Sequence, residues 1–183
     1  MFPVFFDTCV LYKSYVCDTV LSIAECGLFR PLWSDHVLEE LARNLERRDG
    51  TKEQVTHRLD QMRKSFPEAA VTGYDALITA MTNDPKDRHV LAAAIRGGAE
   101  LLITENVRDF PNGSTAPYDL EVVNQDDFLL DQLDLAPEVV LDCLRRQASR
   151  YRREPRTVSD LLAVLASPGS NCTRFASACR AHL

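Results

Sequence analysis

At 183 residues the chain is long enough for one ordinary domain with a real core, or for one domain plus an appendage. Its composition, 45% hydrophobic and 26% charged, is globular and argues against an intrinsically disordered chain. The net charge of −6 argues against nucleic-acid binding by bulk charge alone, but its distribution is uneven: residues 138–183 hold eight arginines against four acids, or +4, which leaves −10 for residues 1–137.

No apolar run approaches the roughly 20 residues of a membrane span. No basic segment precedes the first apolar run as it would in a signal peptide, so the expected location is cytoplasmic, with no membrane partner. The six cysteines (Cys9, Cys17, Cys26, Cys143, Cys172, Cys179) form no C-x-x-C pair and are expected to be reduced, buried thiols.

The first element is an apolar run, Phe2 to Phe6, ending on Asp7. It reads as a buried strand delivering a carboxylate at its C-terminal end, where open α/β sheets build their sites. Leu11–Cys26 has helical spacing and stops at Gly27. Phe29–Trp33 reads as a second strand. Ser34 follows as an N-cap for a helix with Val37, Leu38, Leu41 and Leu45 on one face, broken by Asp49-Gly50. Thr51 opens a charged helix with a sparse apolar face (Val55, Leu59, Met62). Ala69–Val71 is a connector or small strand, and Tyr74–Met81 a helix.

Asp84-Pro85 then reads as N-cap and first helical position of a helix over Asp87–Arg96 that stops at Gly97-Gly98. Ala99–Thr104 is a strand, Glu105–Phe110 a turn, Pro111–Ser114 a loop, Leu120–Val123 a strand and Asp126–Leu133 a helix. Strands alternating with helices predict a parallel sheet covered by helices. After Pro137 three helices are expected, over Val139–Tyr151, Val158–Ala166 and Cys172–Ala181.

Four acids fall near strand ends and helix starts: Asp7, Glu40, Asp87 and Asp109. Gathered together they would repel unless neutralised, and a hard divalent cation with oxygen ligands does that. Thr8 supplies a hydroxyl to orient a carboxylate or water, and Asp84 is either a supporting acid or only the N-cap. His36 and His89 are expected to be partly buried, hydrogen-bonded histidines, and Trp33 a core residue.

The order Asp7-Thr8-x-x-Leu11, Ser34-x5-Glu40-Leu41, Asp84-Pro85-x-Asp87-x-x-x-Leu91-Ala-Ala-Ala94 and Ile103-Thr104-x-Asn106-x-x-Asp109-Phe110 resembles the PIN domain, and in particular the VapC-type ribonuclease toxins of toxin–antitoxin pairs. The resemblance implies a three-layer α/β/α sandwich with a parallel sheet over residues 1–134 and sets residues 135–183 apart as a C-terminal helical extension. It also implies a Mg2+- or Mn2+-dependent endoribonuclease. Asp7, Glu40, Asp87 and Asp109 would be its catalytic metal ligands, with Thr8, Thr104, Asn106 and Asp84 in support. A metal-activated water would leave 5′-phosphate and 3′-hydroxyl ends. RNA as substrate, a VapB-like antitoxin and a homodimer complete what is implied.

The basic run containing Arg145, Arg146, Arg150, Arg152 and Arg153 reads either as an RNA-backbone contact or as a solvated helix face. Two other readings remain: a catalytically silent PIN-like binding module, or an α/β domain phosphorylated on Asp7. The second lacks the expected partner motifs, since Cys9 stands where a second Asp is needed.

Overall fold

The computed structural model describes residues 1–48 and 50–183; Asp49, half of the expected Asp49-Gly50 break, lies outside them. The chain divides into two compact units, one of residues 2–12 and 30–123, the other of residue 1 with 13–29 and 124–183. A plain cut near residue 134 would divide it differently, because one N-terminal helix goes with the C-terminal ones.

The first unit is built on a parallel five-stranded sheet. Its strands are β1 (Phe2–Phe6), β2 (Phe29–Ser34), β3 (Ala70–Val71), β4 (Leu101–Ile103) and β5 (Glu121–Val123), in the order β3-β2-β1-β4-β5. Phe5 pairs with Leu102, Trp33 with Ala70, and Leu102 with Val122. Val4, Phe5 and Phe6 are fully buried, which explains the unbroken apolar run in place of an alternating one. The chain builds β2 and β3 on one side of β1, then returns to build β4 and β5 on the other. The C-terminal end of β1 is therefore the topological switch point, the place where such sheets bind ligands. Asp7 is the next residue, and its N–H donates to the Ile103 carbonyl at 3.0 Å.

The helix expected over Leu11–Cys26 is two helices, α1 (Thr8–Leu11) and α2 (Ser14–Glu25), parted at Lys13, whose backbone is extended (φ −77°, ψ 99°). Asp7 caps α1, accepting from the Thr8 N–H. In α3 (Asp35–Arg47) the Ser34 hydroxyl caps Val37, Asp35 sits in the first turn and Arg47 in the last, both suiting the helix dipole. In α4 (Lys52–Ser65) Thr51 and Gln54 form a full capping box, and the sparse apolar face of Val55, Leu59 and Met62 is buried.

Only α5 (Asp75–Ile78) forms where a helix over Tyr74–Met81 was expected; it buries none of its residues, so nothing beyond local propensity extends it. A 3₁₀ turn over Pro85–Asp87 leads into α6 (Arg88–Arg96). Ala92, Ala93 and Ala94 are fully buried. At Gly97 an added Cβ would lie 2.8 Å from Val71 Cγ2 and 3.0 Å from Leu32 Cδ1, so small residues let α6 lie close against β2 and β3. A short helix, α7 (Asn112–Thr115), stands where a loop was expected.

The second unit gathers α2 with α8 (Gln125–Leu135), α9 (Pro137–Arg150), α10 (Val158–Leu165) and α11 (Thr173–Ala181). Asn124 and Thr157 cap α8 and α10, accepting from Asp127 and Asp160 N–H groups. The Asp126 carboxylate of α8 accepts the Arg174 and Phe175 N–H groups that open α11, at 3.1 and 2.8 Å. The extension is thus helical, and its helices pack on one another through caps and through buried apolar residues that include Phe128, Leu144, Leu161 and Phe175.

Candidate active site

Asp7 is 4% exposed. Its Oδ1 accepts the Thr8 N–H at 2.7 Å, and its Oδ2 accepts the Thr104 hydroxyl at 2.7 Å and the Cys9 thiol at 3.3 Å. Donors from α1 and from the end of β4 thus fix both oxygens. Burial raises the carboxyl pKa above its ordinary value; the hydrogen bonds oppose this and the nearby Glu40 charge adds to it. Thr104, fully buried, also accepts the Asn106 N–H at 3.1 Å.

Glu40 enters from α3, half-buried. The Thr8 hydroxyl has one proton; it reaches Glu40 Oε2 at 3.0 Å, with the Val37 carbonyl a longer alternative at 3.4 Å. Thr8 therefore ties the α3 carboxylate to the end of β1.

Asp84, Asp87 and Asp109 form the adjoining group. Asp84 Oδ1 accepts the Lys86 N–H at 3.1 Å, and the Asp84 N–H donates to the Asp109 carbonyl at 3.1 Å, joining two turns. Asp87 is half-buried, and its Oδ2 is buried without a hydrogen-bond partner. Burial first, then the Asp7 charge, push its pKa up to about 7; Lys86 opposes the shift and Asp109 adds to it. Lys86 is exposed and pairs with Asp109 at 3.0 Å. That contact holds the lysine pKa above its usual value.

Asp7, Thr8, Glu40 and Thr104 are thus joined by direct hydrogen bonds, and Asp87 is coupled to them by charge. Asn106 is exposed and contributes its backbone N–H. Among the described residues no three His, Cys, Asp or Glu side chains close into one metal-binding group.

His36 is exposed, a departure from the expected partly buried position, and shares a 3.1 Å hydrogen bond with the Tyr74 hydroxyl. His89 packs edge-on to it with centroids 5.2 Å apart, and burial lowers its pKa. Trp33 is core, 1% exposed and edge-on to Phe66.

Of the five arginines, three are engaged within the helical unit. Arg145 pairs with Asp142 at 2.7 Å, Arg146 donates to two cysteine sulfurs, and Arg150 donates to Ser22 Oγ at 2.9 Å. Arg152 and Arg153 are exposed. Sequence reasoning missed two participants, Cys9 and Lys86. Both sit inside the acidic motifs, but neither residue type announces a partner until the fold supplies one.

A parallel sheet with a buried acid at its switch point and further acids from α3, from the start of α6 and from the turn after β4 defines a class, and residues 3–108 match the PIN domain model. The chain belongs to the PIN domain family. Residues 125–181 match a second model, described as the VapC50 C-terminal domain, which covers most of α8 to α11. A curated protein of Mycobacterium tuberculosis (strain ATCC 25618 / H37Rv), named "Putative ribonuclease VapC50", is 43% identical over 108 residues. That match spans 59% of this chain and 62% of the relative, so less than two thirds of the relative's length is covered. No solved structure matches.

Proposed function

We propose that the protein is a divalent-metal-dependent endoribonuclease and the toxin of a toxin–antitoxin pair. The observation that carries this reading is the unpartnered, buried Asp87 Oδ2 beside the desolvated Asp7 carboxyl. Such a pair is unfavourable in the protein alone and is relieved by a cation. The donors are all carboxylate oxygens, which suits Mg2+ or Mn2+ and leaves room for coordinating waters. Asp7, Glu40, Asp87 and Asp109 would hold the ion, which supplies a water acidified toward neutral pH and positive charge against the phosphate.

The chain's own residues do the positioning. Thr104 and the Thr8 N–H lock Asp7, and the Thr8 hydroxyl keeps Glu40 turned to the same end of the sheet. The Asp84 turn holds Asp87 and Asp109 together. Water attacks phosphorus and the ribose 3′ oxygen leaves, so the ends are 5′-phosphate and 3′-hydroxyl. Exposed Arg152 and Arg153 are the better candidates for RNA backbone contact, with the other arginines engaged internally. A VapB-like antitoxin, a homodimer and a cytoplasmic location accompany this reading.

The test is end-group analysis of RNA cleaved with Mg2+ and with EDTA, beside Asp7→Asn. The expected result is Mg2+-dependent cleavage giving 5′-phosphate ends, lost in the variant. A 2′,3′-cyclic phosphate, or cleavage that survives EDTA, refutes the mechanism. Absence of cleavage on every RNA tried favours the silent binding module.

A further inference from the structure

The helical unit holds a sulfur pair that the nuclease chemistry does not use. Cys26 is the C-cap of α2, and Cys143 lies in the middle of α9. Their Sγ atoms are 3.1 Å apart, about 1 Å more than the ~2.05 Å of a disulfide bond. The residues are 117 positions apart in sequence, so the fold of this unit brings them together.

The pair closes one end of a polar seam between α2 and α9. Along it Arg150 donates to Ser22 at 2.9 Å, Thr19 donates to Gln147 at 2.9 Å, and the Tyr151 hydroxyl donates to Asp18 at 2.7 Å. The seam holds the two helices in register, so the sulfurs meet without a helix having to move far.

The two thiols have different surroundings. Arg146 Nη2 donates to Cys26 at 2.8 Å and to Cys143 at 3.3 Å. A guanidinium beside sulfur favours the thiolate, which is the nucleophilic form. Cys26 is half-buried and has the shorter contact, so it is the thiol a small oxidant reaches. Cys143 is 1% exposed and donates to the Ser22 carbonyl at 3.4 Å. Burial, then the adjacent Cys26, push its pKa up to about 11, which keeps it protonated.

We infer that Cys26 and Cys143 form a peroxide-oxidised dithiol, with Arg146 as the positioning residue that activates Cys26. The Cys26 thiolate attacks one peroxide oxygen and the O–O bond breaks. Cys26 becomes a sulfenic acid, and the hydroxide released takes up the proton that Cys26 had lost, giving water. The Cys143 sulfur then attacks the Cys26 sulfur, the S–S bond forms, and the sulfenic oxygen leaves with the Cys143 proton as a second water. Two thiols and one hydrogen peroxide thus give one disulfide and two waters. The bond staples α2 to α9, and a dithiol reductant reopens it. A chain that cleaves no RNA would form the same bond.

The test is to treat the native 183-residue protein with hydrogen peroxide, block remaining thiols in denaturant, and map peptides after cleavage at Glu25, which separates Cys26 from Cys17. The expected product is a Cys26–Cys143 linked peptide that dithiothreitol reverses, with a Tm raised by roughly 10 °C over the reduced protein. In Cys143→Ser a dimedone adduct accumulates on Cys26. Arg146→Met slows oxidation about tenfold while both cysteines remain, and Arg146→Lys restores part of the rate. Urea unfolding of the reduced Arg146→Met protein checks that the seam is intact. Linkage of any other cysteines, bonds only between chains, or an Arg146→Met rate equal to the parent overturns the inference.

Discussion

Asp7→Asn should make the metal-free protein more stable at neutral pH even as it removes the proposed activity. The side chain keeps its shape, and its carbonyl still accepts the Thr8 N–H. What disappears is a charge that burial and Glu40 already disfavour, together with the Oδ2 acceptor of the Thr104 hydroxyl and the Cys9 thiol, which must turn to other partners. The same charge is the second-largest cause of the Asp87 shift, so Asp87 should ionise more easily as well.

Both carboxyls have folded pKa values above their unfolded ones. Their contribution to stability is therefore complete below about pH 3.8 and is lost as pH rises; for Asp87 the window runs from 3.8 to about 7. Undiscounted, the Asp87 shift corresponds to roughly 4 kcal/mol at ~1.4 kcal/mol per unit, but Asp87 is partly exposed and solvent screening reduces this to about 1–2 kcal/mol. Replacing buried Asp7 by its neutral isostere adds a further gain by removing a desolvated charge, partly offset by the hydrogen bonds lost at Oδ2. Urea unfolding in EDTA at pH 5 and pH 8 measures both effects. The parent should lose stability between the two pH values, Asp7→Asn should lose less, and the variant should be the more stable at pH 8. Equal pH slopes, or a variant weaker than the parent at pH 8, would show that Asp7 is favourably buried without a cation and would refute the reasoning.

Thr8→Val removes the hydroxyl that holds Glu40 at 3.0 Å while keeping the side chain's shape; it should cost about 1–2 kcal/mol in urea unfolding, and cleavage should fall mainly in kcat. Gly97→Ala places a methyl 2.8 Å from Val71 Cγ2 and should destabilise by about 1–3 kcal/mol through forced repacking between α6 and the sheet, read as a lower urea midpoint. Lys86→Ala breaks an exposed ion pair and should leave the urea midpoint nearly unchanged. It removes a positive charge from beside Asp109 and Asp87, so the Mg2+ concentration for half-maximal cleavage should fall; a rise would mean that Lys86 serves the site in another way.

The sheet was legible because its strands carry their own signals. Phe2–Phe6 is apolar throughout, as a central strand must be, and the caps Ser34, Thr51 and Asp84 are residues whose side chains satisfy exposed N–H groups locally. Helix extent was less legible where burial decides it. Tyr74–Met81 has apolar residues but no buried helical face, while Asn112–Thr115, weak in helix propensity, closes a turn whose Ser114 and Thr115 are buried.

The site was visible as residue types and only partly as geometry. Asp7 at a strand end implied a site, but the Thr8 bridge to Glu40 joins positions 32 apart and depends on how α3 packs. The Lys86–Asp109 pair and the Cys26–Cys143 contact depend on pairings that no local pattern encodes. For the same reason the sequence could not show that α2 belongs with the C-terminal helices.

That allegiance of α2 has a consequence for synthesis on the ribosome. The helix is made early, yet α9 and α10, its partners within the unit, arrive more than 100 residues later. At about 5–20 residues per second, α2 waits roughly 5–25 s for them, while the sheet between can close in sequence order. During that interval α2 lacks these partner helices and is open to chaperones or to another nascent chain. A chain stopped after Val123 holds this interval still. It should bind a hydrophobic dye that the full chain does not, and failure to do so would mean that α2 is covered from within the nascent segment.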